Sequence, residues 1–305
     1  MSPTIFVTAA TGTLGKALAL ELKKIGWNVH ATVRDPDSPA AKELASAGVK
    51  LFPGDWDNEK ALGDGMAGCD GLFLNLMPSF TDWEADVRQG RSIVAIAKAA
   101  GIKHAIYAAG SSSLLRRISN PDSMILKFLT NKTLIEDAIR AAGFEASTIL
   151  RPSAFMANWI APKVAMHYSG LAETGTFATA LRADSVTPWV DEYDVAAFSI
   201  AAFKDPARFN GLDIQVASVT HTTEEVVKLL SQAIGLQLKA NYLSDEEISA
   251  RIKNEPLLEG EVLTRSLSKD FDMEDVRKWG IPLHTFQNFL EREKASLQAT
   301  YGGLA

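Results

Sequence analysis

Near its start, the chain passes from an apolar run at residues 5–8, through a turn of small residues, into a helical pattern. The run is short, apolar and partly β-branched, which is typical of a strand buried on both faces of a parallel sheet. From Leu14 onward, leucines recur at the spacing of one helix face. The first N–H groups of such a helix have no intrahelical acceptor and attract anions. This order of elements predicts a phosphate-binding turn.

The turn carries two glycines where a dinucleotide-binding turn requires them. Gly12 permits close approach of the phosphates, and Gly15 permits close contact between helix and strand. Ala9 replaces the usual first glycine, and its methyl group is a small obstruction if its φ is negative. An ordinary strand-to-helix turn is the alternative interpretation. The predicted cofactor contacts here are Thr11, Gly12, Thr13, Leu14 and Gly15.

The end of the second predicted strand indicates which ribose the fold accepts. A carboxylate there binds the ribose hydroxyls of NAD, whereas an arginine favours the additional phosphate of NADP. Arg34 occupies this position, and its guanidinium matches a phosphate with two hydrogen bonds. The alternative is a surface arginine paired with Asp35. The sequence therefore favours NADP(H) as the cofactor.

Strand and helix patterns alternate through the first half of the chain, which predicts right-handed crossovers and a doubly wound parallel sheet. Further strands are predicted at residues 49–52, 71–76, 104–109 and 146–150, and helices at 40–47, 59–66, 84–100 and 123–142. After Arg151 the alternation ends. The predicted fold class is α/β, with a Rossmann core over residues 1–152 and a smaller C-terminal α/β substrate lobe over 153–305.

Within the C-terminal half, a strand near residues 212–217 is predicted to return to the core sheet. Thr222 and Glu225 form a capping-box pattern that opens a helix ending near Gly235. Two more helices are predicted around residues 244–253 and 285–298.

Composition and charge narrow the classes of function. The 305 residues carry a formal charge of −6 and a pI of about 5.5, so no electrostatic footprint for nucleic acid is present. Cys69 is the single cysteine, and the five histidines lack metal-ligand spacing. The sequence shows neither a signal-peptide pattern nor an apolar run of membrane-spanning length. We expect a cytoplasmic protein with a small-molecule substrate, and no metal, nucleic acid or membrane partner.

A charged residue interrupts the apolar face of the helix predicted at 123–142. Helical spacing places Lys132 between Phe128 and Ile135 on that face. Burying an ammonium group is costly unless its charge has a function, such as binding the nicotinamide ribose, lowering the pKa of a hydroxyl or supplying a proton. The alternatives are a side chain that reaches solvent at the edge of the face, or an ion pair with Glu136.

Residues that follow the fourth and fifth strands are further candidates. Ser111 and Ser112 lie where the nicotinamide is expected and can orient a carbonyl, although serines are also ordinary turn residues. Asn75 and Met77 are candidate cofactor contacts, and a plain turn is the alternative. Large apolar residues predict a substrate pocket, although each is individually typical of a core. They are Phe80, Trp83, Phe155, Trp159, Met166, Tyr168 and Trp189.

Several motifs together resemble the NmrA-like branch of the atypical short-chain dehydrogenase/reductase superfamily. They comprise residues 8–15, 33–35, 54–55, Lys132 with Glu136, 148–152, Phe155, Met156, Asn158 and 194–196, and the resemblance covers most of the chain. It implies a Rossmann core that binds NADP(H) through Gly12, Gly15 and Arg34, with Asp55 near the adenine and Lys132 near the nicotinamide. It also implies a substrate pocket roofed by the C-terminal lobe.

One departure from this resemblance concerns catalysis. The superfamily's catalytic tyrosine, four residues before the lysine, corresponds to Phe128, which has no proton to donate. Relatives similar to isoflavone reductase use the lysine without that tyrosine, whereas the regulator that names the branch binds dinucleotide without turnover. Two functions are therefore expected. One is an NADPH-dependent reductase of a small apolar or aromatic ketone, enone or imine, with Lys132 and Ser111 in catalysis; the alternative is an NADP(H)-binding redox sensor that acts through a protein partner.

Overall fold

The computed structural model describes residues 2–79, 81–110, 112–265 and 271–304. The strands, in chain order, are β1 (Thr4–Val7), β2 (Asn28–Val33), β3 (Lys50–Pro53), β4 (Gly71–Leu74), β5 (His104–Ala108), β6 (Ala146–Pro152), β7 (Ala154–Phe155), β8 (Thr176–Thr179), β9 (Val186–Val190), β10 (Asp213–Val216), β11 (Val219–Thr222) and β12 (Lys239–Tyr242). Among these residues, no helix has both the length and the apolar character needed to cross a membrane.

The helices, in chain order, are α1 (Thr13–Lys24), α2 (Pro39–Ser46), α3 (Glu59–Met66), α4 (Ala85–Ala99), α5 (Met124–Ala141), α6 (Val164–His167), α7 (Leu171–Thr174), α8 (Glu192–Lys204), α9 (Pro206–Phe209), α10 (Thr223–Ile234), α11 (Asp245–Arg251), α12 (Leu257–Thr264), α13 (Met273–Arg277), α14 (Phe286–Arg292) and α15 (Lys294–Tyr301). Short 3₁₀ turns lie at Ser112–Arg117, Met156–Trp159 and Gly302–Leu304.

The chain divides into two compact units. The first comprises Met1–Leu115, Lys127–Pro152 and Val195–Val216, and the second comprises Arg116–Leu126, Ser153–Asp194 and Ala217–Ala305. Both units are therefore assembled from separated parts of the sequence, whereas the predicted boundary was residue 152, with a strand near 212–217 returning to the core. Residues 116–126 lie in the second unit and residues 195–216 in the first, so each unit contains a segment from the other side of residue 152.

The first unit is built on a parallel sheet of seven strands in the order β10-β6-β5-β4-β1-β2-β3. The order reverses between β1 and β4, so the carboxyl ends of these two strands diverge into loops on opposite sides of a crevice where ligands bind in such folds. All four residues of β4 are buried, which explains its uninterrupted apolar sequence. The prediction of a doubly wound α/β fold is confirmed, and β10 pairs with β6 inside the core sheet.

The second unit contains a three-stranded sheet, β11-β9-β7, and a two-stranded sheet, β12-β8. Its main core is rich in aromatic residues. Trp159 and Tyr168 stack with ring centroids 3.5 Å apart, and Phe177 and Trp189 pack around them. Aromatic contacts of this kind bury large areas of apolar surface and so hold the irregular segments together.

The helices of this unit agree with one predicted pattern and differ from another. The capping box at Thr222 and Glu225 is present at the start of α10, and its αL C-cap is Gly235. The single helix predicted at residues 285–298 is wrong, because the chain breaks at Glu293 into α14 and α15. At that break, Arg292 donates hydrogen bonds to the carboxylate of Asp191, a partner 101 residues away.

Candidate functional site

The turn between β1 and α1 has the geometry of an anion-binding site. Gly12 is the N-cap of α1, and its own N–H donates to the Ala9 carbonyl at 2.9 Å. The first turn of the helix, Thr13–Lys16, contains no carboxylate that would compete for the free N–H groups. A side chain on Gly15 would lie 2.3 Å from the Ala9 carbonyl oxygen, so glycine is required there. The turn therefore has the backbone conformation that the predicted phosphate-binding glycines require, and their contact with a phosphate stays a prediction.

Glycine at position 15 serves a slightly different contact from the one predicted. Its predicted contact was the one between helix and strand. In the structure it lies against the backbone of the turn itself, at Ala9 and Ala10. Leu14 turns its side chain into the core, whereas Thr11 and Gly12 are exposed. Any ligand contact at Leu14 is therefore made by its backbone N–H.

The alanine that replaces the first glycine adopts a glycine-like conformation. The φ of Ala9 is +49°, in the left-handed region, so the condition of a negative φ is not met. A residue with a Cβ atom pays roughly 1–2 kcal/mol in this region. The turn therefore keeps the backbone shape that a glycine would give it, and Ala9 stores strain at the candidate phosphate site.

Replacing this alanine is expected to stabilise the protein. In Ala9→Gly, the relief of roughly 1–2 kcal/mol of backbone strain exceeds the roughly 0.4–1 kcal/mol that glycine's greater freedom costs in the unfolded chain. We expect the free energy of unfolding to rise by about 0.5–1 kcal/mol in a urea titration. The matched control is Ala10→Gly, a buried neighbour without a positive φ, which should destabilise the protein. A loss of stability in Ala9→Gly would contradict the strain.

One buried hydroxyl adds to the backbone pairing that joins the ends of β1 and β4. Thr8 donates its hydroxyl hydrogen to the Asn75 carbonyl at 2.8 Å and accepts a hydrogen bond from the Asn75 N–H at 2.7 Å. Thr8 is fully buried. This link fixes the two strand ends that flank the crevice, and it places Asn75 beside the glycine turn. A threonine at the end of an apolar strand was the only sequence signal for this contact.

Arg34 and Asp55 lie at the carboxyl ends of neighbouring strands, β2 and β3. Both side chains are exposed. Among the described residues, no ion pair joins Arg34 to Asp35, whose carboxylate accepts the N–H of Asp37 instead. The Asp55 carboxylate accepts the N–H of Asp57 in the same way. The guanidinium of Arg34 therefore remains available at the edge of the sheet where the additional phosphate of NADP is expected.

Lys132 is buried, with an exposed fraction of 6%. Its Nζ donates to the Leu76 carbonyl at 2.8 Å and lies 5.5 Å from the ring centroid of Tyr107 and 5.6 Å from that of Phe128. Leu76 follows Asn75 directly, so Lys132 reaches the same edge of the sheet as the glycine turn. The alternative of an amine that extends into solvent does not describe this side chain.

Charges around Lys132 set its proton affinity. Burial lowers the pKa of Lys132 to about 8, against the opposing effect of the carboxylates of Asp86 and Glu136. Glu136 is not its ion-pair partner, because both of its carboxylate oxygens accept hydrogen bonds from Arg151 at 2.8 Å. An amine with a pKa near 8 is mostly protonated at neutral pH and yet can release its proton, which is the requirement for a general acid.

Arg151, the partner of Glu136, also binds the backbone just after β5. Besides Glu136, it donates to the Gly110 carbonyl at 2.9 Å and to Asp213 at 2.7 Å. Gly110 immediately precedes the predicted serines. Ser111 lies outside the described residues, and Ser112 begins a 3₁₀ turn. The role predicted for Ser111 and Ser112 therefore stays a prediction.

The segment after β4 is anchored to α5 at two points. Lys132 binds the Leu76 carbonyl, and the Asn131 amide donates to the Trp83 carbonyl. Between these points Met77 is 58% exposed, and Trp83 is half-buried. Phe80 lies outside the described residues. Met77 therefore directly follows the residue whose carbonyl Lys132 binds, and the Trp83 carbonyl binds Asn131, the neighbour of Lys132. Their roles as cofactor and substrate contacts stay predictions.

The predicted pocket residues of the second unit occupy different environments. Trp159, Tyr168 and Trp189 belong to the packed aromatic core of that unit. Phe155 is half-buried, with Lys163 Nζ 5.7 Å from its ring centroid, and Met166 is 48% exposed. The core packing of the first three side chains corresponds to the alternative given for them, a place in the hydrophobic core.

A parallel sheet with a glycine turn after its first strand defines a Rossmann-type fold, and comparison with known proteins gives the family. The family model of the NmrA-like family matches residues 1–276. The chain therefore belongs to the NmrA-like family, as its motifs indicated.

Curated relatives of this chain include oxidoreductases. The NmrA-like family domain-containing oxidoreductase FrzB of Cladobotryum sp. is 28% identical over 251 residues, covering 76% of this chain and 73% of that protein. The NAD(P)H azoreductase of Xenophilus azovorans is 28% identical over 233 residues, covering 76% of this chain and 74% of that protein.

Solved structures share the fold over almost the whole chain. NmrA, a negative transcriptional regulator in complex with NAD, matches with a TM-score of 0.78 and 20% identity, covering 99% of this chain and 98% of that one. The NADPH-dependent quinone oxidoreductase QOR2 of Escherichia coli, complexed with NADPH, matches with a TM-score of 0.70 and 23% identity, covering 94% and 99%.

Proposed function

We propose that this protein is an NADP(H)-dependent reductase of a small apolar or aromatic ketone, enone or imine. The observation that carries the proposal is Lys132, a buried amine with a pKa of about 8 at the edge of the sheet that also holds the glycine turn. The family supports it, because curated relatives are oxidoreductases and a solved relative is complexed with NADPH.

The residues of the first unit fit the dinucleotide. The N–H groups of Thr13, Leu14 and Gly15 would bind the pyrophosphate, and Arg34 would bind the additional phosphate of NADP. Asp55 would lie near the adenine and Asn75 near the nicotinamide. When bound, NADPH supplies a hydride to the carbon of the substrate double bond.

The chain's own contribution is a proton. Reduction of a carbonyl adds a hydride to carbon and a proton to oxygen, so a group with a releasable proton must face the oxygen. The Lys132 ammonium supplies that proton and then takes another from solvent. Phe128, which stands where the superfamily has a tyrosine, has no proton to donate, so the proton comes from Lys132 or from a water that this lysine orders. Met77 and Trp83 would contact the apolar part of the substrate.

The test is a titration with NADPH and NADH, followed by absorbance of the nicotinamide with a panel of aromatic ketones, enones and imines. An azo dye and a quinone join the panel because relatives are named for these substrates. Oxidation of NADPH by a panel member establishes a reductase and begins to define its substrate. Tight binding without oxidation of NADPH favours the second candidate function.

That second function is a redox sensor that binds NADP(H) and acts through a protein partner. The observation that favours it is the likeness to NmrA, which is named as a negative transcriptional regulator and matches with a TM-score of 0.78. Phe128 in place of a catalytic tyrosine also suits a protein without turnover. The titration separates the two functions, because only the reductase consumes NADPH.

Cofactor preference is expected to depend on Arg34. Arg34→Ala removes charge-assisted hydrogen bonds to the additional phosphate, each worth roughly 1.5–3 kcal/mol, so NADPH affinity should fall roughly 10- to 100-fold. NADH affinity should change little, because NADH lacks that phosphate. Fluorescence titration of both dinucleotides measures the difference, and Arg91→Ala, another exposed arginine, is the control. Equal losses for NADPH and NADH would remove the argument for NADP.

A further inference from the structure

A buried carboxylate near Lys132 has no role in the function proposed above. Asp86 lies in the first turn of α4 and is 2% exposed. Both of its carboxylate oxygens are buried and lack a hydrogen-bond partner among the described residues. A buried polar group without a partner costs free energy, so its retention in the core calls for an explanation.

The surroundings of Asp86 supply one. The start of α4 lies against α5 on both sides of Asp86. The Asn131 amide donates to the carbonyl of Trp83, three residues before Asp86. Gly90, four residues after Asp86, packs against Ile135. These contacts bring Asp86 to the level of Lys132 on the facing helix.

The charge of Asp86 opposes the effect of burial on Lys132 and acts on the buried Tyr107. The other carboxylate near Lys132 is Glu136, which is already neutralised by two hydrogen bonds from Arg151. Among the described residues, Asp86 is therefore the acidic group near Lys132 whose charge is not balanced by an arginine.

Tyr107, whose ring centroid lies 5.5 Å from Lys132 Nζ, adds no charge near that lysine. Burial raises the pKa of the Tyr107 hydroxyl well above its usual range, and the charges of Glu136 and Asp86 raise it further. The hydroxyl therefore stays neutral around neutral pH. It lies within the core and has no hydrogen-bond partner among the described residues.

We propose that Asp86 is the counter-charge of Lys132, a positioning residue that keeps the lysine protonated at neutral pH so that its ammonium group can donate a proton. This inference rests on the reductase function proposed above for its catalytic meaning. The charge interaction itself is a property of the folded chain and can be measured without a substrate.

The first experiment measures stability against pH. The pKa of Lys132 is about 8 in the folded chain, against about 10.4 for an unperturbed lysine. Between these values the unfolded chain binds more protons, so stability rises with pH. Urea unfolding of the wild type and of Lys132→Met, from pH 6 to 10, isolates this rise as a difference between the two proteins.

The same difference is then measured between Asp86→Asn and Asp86→Asn/Lys132→Met. Loss of the carboxylate should lower the pKa of Lys132, so the rise should begin about one pH unit lower or more, as expected for removing a nearby opposite charge. Asp82→Asn is the matched control, because Asp82 is an exposed aspartate four residues earlier and should leave the rise unchanged. A rise that begins at the same pH with and without Asp86 overturns the proposal.

Whether the variants fold is a further test of the counter-charge proposal. If Asp86→Asn does not fold, recovery of folding in Asp86→Asn/Lys132→Met supports the proposal, because Asp86 is then needed only while the lysine charge is present. Failure of the double variant to fold shows that Asp86 serves the fold itself, and this overturns the proposal.

The second experiment measures the pH dependence of kcat. With a substrate from the panel, the wild-type rate should fall above about pH 8 as Lys132 loses its proton. In Asp86→Asn this fall should move to lower pH by the same amount as the stability rise, whereas Tyr107→Phe should leave it in place. A shift in stability without a shift in rate removes the role of Asp86 in the reaction. If no panel member is reduced, the reductase function fails while the stability measurement still judges the charge pair.

Discussion

Lys132→Met is expected to abolish most turnover while the protein stays folded and binds NADPH. A general acid contributes roughly 10²–10⁴-fold to a rate, so kcat should fall roughly 100-fold or more. Methionine matches the length of the lysine stem and suits the rings of Tyr107 and Phe128 that surround the amine. The measurement is NADPH oxidation under saturating substrate, with kcat and KM determined separately.

Stability separates a catalytic from a structural role of this lysine. The variant leaves the Leu76 carbonyl without its hydrogen bond, at roughly 1–3 kcal/mol, but it also removes the cost of burying an amine. It also leaves the buried Asp86 carboxylate without its counter-charge. We therefore expect a net loss of roughly 1–3 kcal/mol in the free energy of unfolding, which Asp86→Asn/Lys132→Met should recover in part. Lys127→Met, an exposed lysine five residues earlier on α5, is the control. Unchanged turnover in Lys132→Met would assign the lysine to the fold alone.

The sequence revealed Lys132 because a single charge interrupts an apolar helix face. Such a signal is local, since helical periodicity alone assigns the position to the interior. The hydrogen-bond partner of Lys132 could not be predicted locally, because the Leu76 carbonyl is 56 residues away in the sequence. The four-residue spacing on the helix suggested an ion pair between Lys132 and Glu136. In the folded chain, Glu136 pairs with Arg151 of β6 instead.

The core sheet could be predicted well for the same reason. Strands buried on both faces read as short apolar runs, and helices between them carry caps and periodicity. The helix Glu59–Met66 has the same bounds as predicted, and β5 and α5 agree within one residue at each end. Buried parallel strands need little information from elsewhere in the chain.

The second unit was harder to predict because its elements are short and depend on distant partners. β7 has two residues, too few for any pattern. β9 is the central strand of its sheet but contains Pro188, which has no N–H to donate and is unusual in that position. The carboxylate of Asp194 accepts the backbone N–H of His284, 90 residues later. Contacts of this kind leave no periodic trace in the sequence.

Arg151→Met is expected to cause the largest loss of stability of the substitutions considered. Arg151 is 5% exposed and binds the buried carboxylate of Glu136 with two hydrogen bonds. Removing one member of a buried pair leaves an uncompensated charge, which costs roughly 3–5 kcal/mol. The Gly110 carbonyl loses its hydrogen bond as well. Urea unfolding at neutral pH measures the loss, and Arg140→Met, which removes a more exposed partner of Asp213, should cost about 1 kcal/mol or less.

A double variant and a pH series identify the cause of that loss. Glu136→Gln/Arg151→Met removes both charges and should be more stable than Arg151→Met, because no carboxylate is then left unpaired. Burial alone would raise the pKa of Asp213, but hydrogen bonds from Arg151 and Arg140 outweigh it and hold that pKa below its usual range. Its stabilisation is therefore present above the unfolded pKa of about 3.9 and is lost as the pH falls through the folded value. Wild-type protein should lose stability more steeply than Arg151→Met in that acidic range; equal slopes would show that Arg151 does not stabilise the Asp213 carboxylate.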